Sequence, residues 1–513
     1  MHFCHRRGLH PDPEITLYGN LIPVVNEVKF LGVIFDSKIN FISHINQIRK
    51  RCMKTLNLLR VVSSMDWGAD RQVLLRLYRS LIRSKLDYGC IVYGAARKSY
   101  LRRLDVVQNQ ALRICLGAFR TSPIDSLHVE ANEVPICLRR EKLSLQYAIK
   151  IKSTRNNPVH QTIFDPYYEE LYLIKPNTIP PFGLRIKETF EHLCEENSVA
   201  NSIISETPPW QYPEINVDVS LLKYKKDQDQ QVLLNKFKEM KDEYRNHSAL
   251  YTDGSKTDNF VGAGVVMGDA SNKININPTS TVFTAELIAI KAALDTIAQH
   301  QNNCFIIYSD SLSALEAIKN KVLDNPIVVD ILESICDIEF ENKTLVFAWV
   351  PSHIGIPGNE RADKAAKDAH NEPISVTRIP YSDFKSRIHR HIRNSWQDMW
   401  NDCENNKLHA IHPSLGEWSH ANRINRREEV VLARARIGHT YFTHSFLLKR
   451  EDVPYCAACA CNLSVKHLLI ECDDYSHIRR RHYNVRDLKQ LFEEINPNAI
   501  LQFIKETGLY HRF

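Results

Sequence analysis

Asp253, Glu286, Asp310 and Asp363 are the residues whose types and settings promise the most chemistry. Asp253 closes the apolar run "SALYT" and precedes Gly254, while Asp310 closes "CFIIYS". Glu286 lies at the start of "TAELIAIKAALDTIAQH" and Asp363 within "ERADKAAKDAH". Taken singly, each acid reads as a turn former, a helix cap or a first-turn acid favoured by the helix dipole. Taken together they read differently. Two neighbouring strands that end in aspartate put both acids at one sheet edge, and early acids on two helices packed over that sheet reach the same place. Four such carboxylates repel one another unless cations sit among them. Ligation by oxygen alone selects hard ions, Mg²⁺ with Mn²⁺ as the alternative. Two of them about 3.5–4 Å apart activate a water and stabilise the leaving oxygen in phosphodiester cleavage.

A second constellation stands near the C-terminus. "YCAACACNLSVKHLLIEC" supplies Cys456, Cys459, His467 and Cys472 in a C-x₂-C-x₇-H-x₄-C array, with Cys461 as a spare thiol able to stand in for a ligand. Three sulfurs and one imidazole suit a closed, structural Zn²⁺ site.

The elements that must position the four acids follow from hydrophobic periodicity. The spacing predicts strands at "SALYT", "VGAGVVM", "CFIIYSD" and "TLVFAWV", with a turn at Gly254 and Ser255. Between them it predicts helices, the first with Leu287, Ile290, Leu294 and Ile297 on one face and Glu286 in its first turn. The continuous apolar runs are those of strands buried on both faces. His353 falls in "PSHIGIPGN", a loop bracketed by proline and glycine.

"YTDGS", "TAELIAI", "IYSDSLSALEAI" and "WVPSHIGIPGNERADKAAK" resemble, in order and spacing, the successive motifs of type 1 ribonuclease H. The resemblance implies an α/β domain with a mixed five-stranded sheet and helices over residues 246–372. It also implies that Asp253, Glu286, Asp310 and Asp363 bind two Mg²⁺ ions and that His353 assists proton transfer or product release. Gly254, Ser255 and Ser311, beside two of the acids, are expected at the substrate. The implied reaction is hydrolysis of the RNA strand of an RNA–DNA hybrid, with the 2′-hydroxyl telling the strands apart.

The flanks place this domain in a larger context. "KFLGVIFDSKINFISHI", "LYRSLIRSKLDYGCIVYG" and "LDVVQNQALRICLGAFRTSP" resemble the last part of a reverse transcriptase from Jockey-type non-LTR retrotransposons. Residues 1–152 then correspond to the palm end and a mainly helical thumb, in which "EVKFLGVIFD" reads as a strand. There, "DRQVLLRLYRSLIRSKLDYG" puts Leu74, Leu77, Leu81 and Ile82 on one helical stripe. Prolines scattered through 153–245 read as a connector, and 380–513 as a mainly helical tail holding the zinc-binding element at 456–472. A polymerase needs an aspartate pair upstream of "FLGVIFD", which begins at Phe30. The sole Asp-Asp doublet, Asp473-Asp474, is far downstream, so polymerisation is not expected of this chain alone.

Composition agrees with this outline. At 513 residues, with 43% hydrophobic and 25% charged, the chain suits several globular domains. The net charge of +6 conceals a basic front, since residues 1–150 hold about twice as many Lys and Arg as Asp and Glu. That excess, with "RRRH" (479–482) and "NRINRREE" (422–429), suits contacts to a nucleic-acid backbone. No apolar run is long enough to span a bilayer and the N-terminus lacks a signal-peptide core, so an intracellular setting, nuclear or cytoplasmic, is expected. The alternative to an enzyme is a retrotransposon relic that binds nucleic acid without cutting it. Loss of one of the four carboxylates would mark such a relic, and all four are present.

Overall fold

The structure is a computed structural model that describes the chain apart from residues 4–11, 168, 175–178, 196–197, 203–204, 206, 225–228 and 419–424. It divides into two compact units, one of residues 1–144, 168–182 and 390–513, the other of 145–167 and 183–389. No helix among the described residues is long and apolar enough to cross a membrane, and the described cysteines are all free.

The second unit is built on one mixed sheet. In chain order the strands of that sheet and the α-helices between them begin with β1 (Val217–Asp218), α1 (Gln230–Glu243), β2 (Ser248–Lys256), β3 (Val261–Met267) and β4 (Ala270–Ile276). There follow α2 (Val282–Ala298), β5 (Cys304–Ser309), α3 (Leu312–Lys319), α4 (Pro326–Phe340), β6 (Thr344–Trp349), α5 (Pro357–Asp368) and β7 (Ile374–Val376). Across the sheet the order is β7-β4-β3-β2-β5-β6-β1. The expected five strands form its centre, and the short strands β1 and β7 extend it at both edges. β1 comes from the proline-rich stretch and pairs in parallel with β6, while α1 brings Phe237 and Met240 against Tyr308, Val346 and Ala348. That stretch therefore helps build the sheet's core.

Two pairings set up the site. β2 runs antiparallel to β3, with Asp253 opposite Gly264, and parallel to β5, where the last pair is Thr252 with Ser309. β5 stops there, so Asp253 is the first residue of β2 with no neighbour on that side. The expected turn at Gly254 and Ser255 does not form. β2 continues to Lys256, with Gly254 opposite Ala263 and Ser255 opposite Gly262.

The glycine at 254 serves packing. A Cβ there would lie 2.8 Å from the Glu286 backbone nitrogen, so α2 lies directly on the strand. A Cβ on Gly264 would lie 2.3 Å from the Ala362 carbonyl oxygen in α5. Gly264 faces the same way as its partner Asp253, and residue 254 faces the opposite way, so α2 and α5 cover opposite faces of the sheet. α2 starts at Val282 with Thr281 as its cap, two residues earlier than the sequence suggested, so Glu286 falls just past the first turn.

In the first unit, "EVKFLGVIFD" is a hairpin of Glu27–Phe30 and Val33–Asp36, reversing at Leu31 and Gly32, both with positive φ. The expected stripe of Leu74, Leu77, Leu81 and Ile82 is also corrected. A π-helical turn at Arg79–Arg83 widens the helix, and the buried line becomes Leu74, Tyr78, Ile82 and Leu86 while Leu81 is exposed. Buried charges join early and late segments of this unit. Arg436 reaches both carboxylate oxygens of Glu130, the Arg71 backbone N–H donates to Glu429, and Arg426 pairs with Glu429 at 3.2 Å.

A side chain at Gly264 has only backbone to displace. Gly264→Val is expected to destabilise the second unit by about 1–3 kcal/mol or more, read as a lowered melting temperature in circular dichroism. An unchanged melt would contradict the close contact of β3 with α5.

Candidate active site

Each acid owes its place to a different element. Asp253 is carried by β2 just past the end of β5, Asp310 directly follows β5, and Glu286 stands one turn into α2. One carboxylate oxygen from each of these three lies within 4.8 Å of the others. Asp253 and Glu286 are buried, at 7% and 5% exposure. Oε2 of Glu286 is enclosed and has no hydrogen-bond partner.

Asp363, on α5, hydrogen-bonds the Asp253 carboxyl from the other face of the sheet. It also takes an ion pair from Lys367 at 2.7 Å, one turn along the same helix. One of its oxygens also lies with donor atoms of His353 and Glu360, all within 4.8 Å of one another. His353 is exposed, in the loop between β6 and α5, with a positive φ of 55°.

The electrostatics follow from this crowding. Burial first, and then the charges of Asp310 and Asp363, push the Asp253 carboxyl up to about 8. Burial, Asp253 and Asp310 raise Glu286 well above the usual carboxylate range, against a hydrogen bond from the Gly254 backbone. Burial also raises Asp310, while Asn359 and His353 oppose the shift. A group of acids that resists ionising is the donor set a hard divalent cation completes, and the enclosed, unpartnered Oε2 of Glu286 fits it.

Two residues that sequence reasoning left unassigned belong here. Asn359 is buried, its Nδ2 lies 3.5 Å from Oδ2 of Asp310, and its Oδ1 has no partner. Glu360 joins His353 and Asp363. The signal was present in the sequence, since Glu360 and Asp363 are three apart on one helix and so share a face. Of the residues expected at the substrate, Gly254 seats α2, Ser255 is half-buried in β2, and Ser311 leads into α3 with its backbone N–H on Ser309 Oγ at 3.2 Å.

The Cys/His cluster is a separate construction in the first unit. Two short strands, Tyr455–Cys456 and Cys461–Asn462, pair antiparallel with Cys456 opposite Cys461. Donor atoms of Cys456, Cys459, His467 and Cys472 lie within 4.8 Å of one another. Sγ of Cys472 is 4.0 Å from those of Cys456 and Cys459, close to the roughly 3.8 Å edge of a tetrahedron with about 2.3 Å Zn–S bonds. Cys461 stays outside this set, its sulfur 3.3 Å from Nδ1 of His467. In "RRRH", Arg479 donates to the carbonyls of Leu469 and Cys472 and so braces the cluster, while Arg481 and His482 both bind Glu506. Residues 422–424 of the other basic run lie outside the described residues.

Residues 245–371, the segment that carries the acid cluster, match the family model described as RNase H. Parts of the chain are similar to RNA-directed DNA polymerases and polyproteins of non-LTR retrotransposons. With the RNA-directed DNA polymerase from mobile element jockey of Drosophila melanogaster it is 34% identical over 122 residues, 23% of this chain and 12% of that protein. With the probable RNA-directed DNA polymerase from transposon X-element of the same fly it is 24% identical over 153 residues, 30% of this chain and 17% of the relative. A Pol polyprotein from the type-1 retrotransposable element R1 of Bradysia coprophila is 30% identical over 125 residues, 24% of this chain and 12% of its own length. These similarities span less than a fifth of each relative.

The raised acids have a consequence for stability. Asp253 ordinarily ionises at 3.8 and here at about 8, so across that window the unfolded chain has lost a proton that the folded chain keeps. Without metal, this group's contribution therefore falls as pH rises from about 4 to about 8. A divalent cation favours the ionised form, so Mg²⁺ is expected to raise the melting temperature more at about pH 8.5 than at about pH 6. In Asp253→Asn that difference should shrink. Thermal melts that respond to Mg²⁺ equally at both pH values would count against the cluster as a cation site.

Proposed function

We propose that the chain hydrolyses the RNA strand of RNA–DNA hybrids endonucleolytically, as a type 1 ribonuclease H that depends on two Mg²⁺ or Mn²⁺ ions. The observation that carries this reading is the convergence of Asp253, Glu286 and Asp310 around the unpartnered Oε2 of Glu286. Asp253, Glu286, Asp310 and Asp363 are the residues that would hold the ions. Bound there, the ions would supply activation of the attacking water and neutralisation of the departing oxygen. Asn359 keeps Asp310 oriented. His353, on its exposed loop with a ring nitrogen within 4.8 Å of carboxylate oxygens of Glu360 and Asp363, would assist proton transfer or product release. Gly254, Ser255 and Ser311 line the approach of the substrate strand, where the 2′-hydroxyl separates RNA from DNA.

In the same reading, residues 1–152 are the palm end and thumb of a non-LTR retrotransposon reverse transcriptase, joined through 153–245 to the ribonuclease H domain at 246–372. The tail at 380–513 holds one structural Zn²⁺ on Cys456, Cys459, His467 and Cys472. The Lys and Arg excess of residues 1–150 supports contact with a nucleic-acid backbone.

The test is cleavage of an end-labelled RNA–DNA hybrid by the purified chain, with and without Mg²⁺, beside duplex DNA and duplex RNA. Metal-dependent loss of the hybrid's RNA alone is expected. Asp253→Asn should abolish it, and His353→Ala should slow it by about 10²–10⁴-fold, the range of a general acid or base. Full activity in Asp253→Asn would end the assignment, and binding without cleavage by the wild-type chain would favour the relic. For the tail, metal analysis should find one Zn²⁺ per chain, lost in Cys472→Ser and kept in Cys461→Ser. Retention in Cys472→Ser would refute that ligand set.

A further inference from the structure

Asp383 lies beyond the segment that matches the RNase H model, and it is 2% exposed. Its carboxylate accepts a hydrogen bond from the Thr281 backbone N–H at 2.9 Å. It is further bonded by the side chains of Thr284, Ser382 and Thr281. Thr281 is the cap of α2, its own Oγ1 accepting from the Thr284 backbone at 3.3 Å. A buried carboxylate thus sits at the positive end of the helix whose second turn begins with Glu286.

The chain around Asp383 holds the other side of the same corner. β7 pairs in parallel with the end of β4. Past it, the Asn277 backbone N–H donates to the Val376 carbonyl at 2.9 Å and Asn277 Nδ2 to the Thr377 carbonyl at 3.0 Å. Ile379 is itself bridged to Val199. Residues 374–383 therefore grip the loop 277–281 at both ends, immediately before α2. A cavity of about 340 Å³ lined by Phe283, Asp324, Asn325, Tyr381 and Asp383 opens beside this turn. The first turn of α2 is thus open on this flank and is held by hydrogen bonds to Asp383.

We propose that Asp383 is a positioning residue for the acid cluster, fixing the start of α2 so that the Glu286 carboxylate meets Asp253 and Asp310. The proposal rests on the reading of those acids as metal ligands. Its logic is that of outer-shell groups in metal sites, whose removal costs about 10–100-fold in metal affinity while the ligands themselves remain.

The test uses the full chain, loaded with zinc, and compares the wild type with Asp383→Ala and Asp383→Asn. Mg²⁺ affinity is measured by calorimetry without nucleic acid, backbone exchange at 281–286 by hydrogen–deuterium mass spectrometry, and hybrid cleavage as a function of Mg²⁺. Asp383→Ala is expected to weaken Mg²⁺ binding about tenfold or more and to speed exchange at 281–286 without a general rise. Its cleavage should recover to within about threefold of wild type at saturating Mg²⁺. Asp383→Asn keeps an oxygen for the Thr281 N–H and should restore most of the affinity. Unchanged Mg²⁺ affinity and exchange in Asp383→Ala would overturn the proposal. So would faster exchange throughout the second unit with an equal loss of cleavage at every Mg²⁺ concentration, the mark of a merely structural role. A wild-type chain that neither binds Mg²⁺ nor cleaves hybrid would refute the functional reading instead, and the exchange at 281–286 would still report whether Asp383 fixes the turn.

Discussion

The repulsion among Asp253, Glu286 and Asp310 is the constraint around which the second unit is arranged. Three carboxylates gathered this closely, two of them buried, cost free energy as charges and resist ionising. The fold holds them together with interactions that are indifferent to that cost. β2 and β5 are tied by a parallel ladder that stops one residue short of Asp253. α2 lies on the strand at Gly254 and α5 on the opposite face at Gly264. Sheet and helices fix the backbone that carries the acids, and a bound cation would relieve their repulsion.

The same reasoning explains the glycines and the edge strands. A side chain at 254 or 264 would push a helix, and with it Glu286 or Asp363, away from Asp253. β1 and β7 add little hydrogen bonding, but each anchors chain outside the central five strands. β1 precedes α1, which seals the face over β5 and β6, and β7 leads to Asp383 at the head of α2. The supports of the site thus extend on both sides of the segment that the RNase H family model matches.

Much of this was legible in the sequence, and the failures have physical causes. The buried strands and the long apolar helix were plain from periodicity, and Asp253 and Asp310 stand at the ends of two of the strand runs. Gly254 suggested a turn because glycine weakens strands, yet here the missing side chain is what lets a helix approach one. The stripe on residues 74–82 failed because a π-helical turn adds a residue, which no 3.6-residue period anticipates. β1 and β7, of two and three residues, are too short to carry a period at all. Asn359 and Glu360 stood inside a recognised motif, but their roles depend on where the loop before α5 delivers Asp310 and His353. Asp383 carries no local sign, since its partner Thr281 is distant in sequence and the contact exists only once β7 has paired with β4.

The most direct measurement is a titration of the zinc-loaded chain with Mn²⁺, following the electron paramagnetic resonance signal of the free ion. The wild-type chain should remove Mn²⁺ from solution saturably, Mg²⁺ should displace it, and Asp253→Asn should lose that binding with its fold intact by circular dichroism. Equal Mn²⁺ uptake by the wild type and Asp253→Asn, or none by either, would contradict a cation site built on these acids.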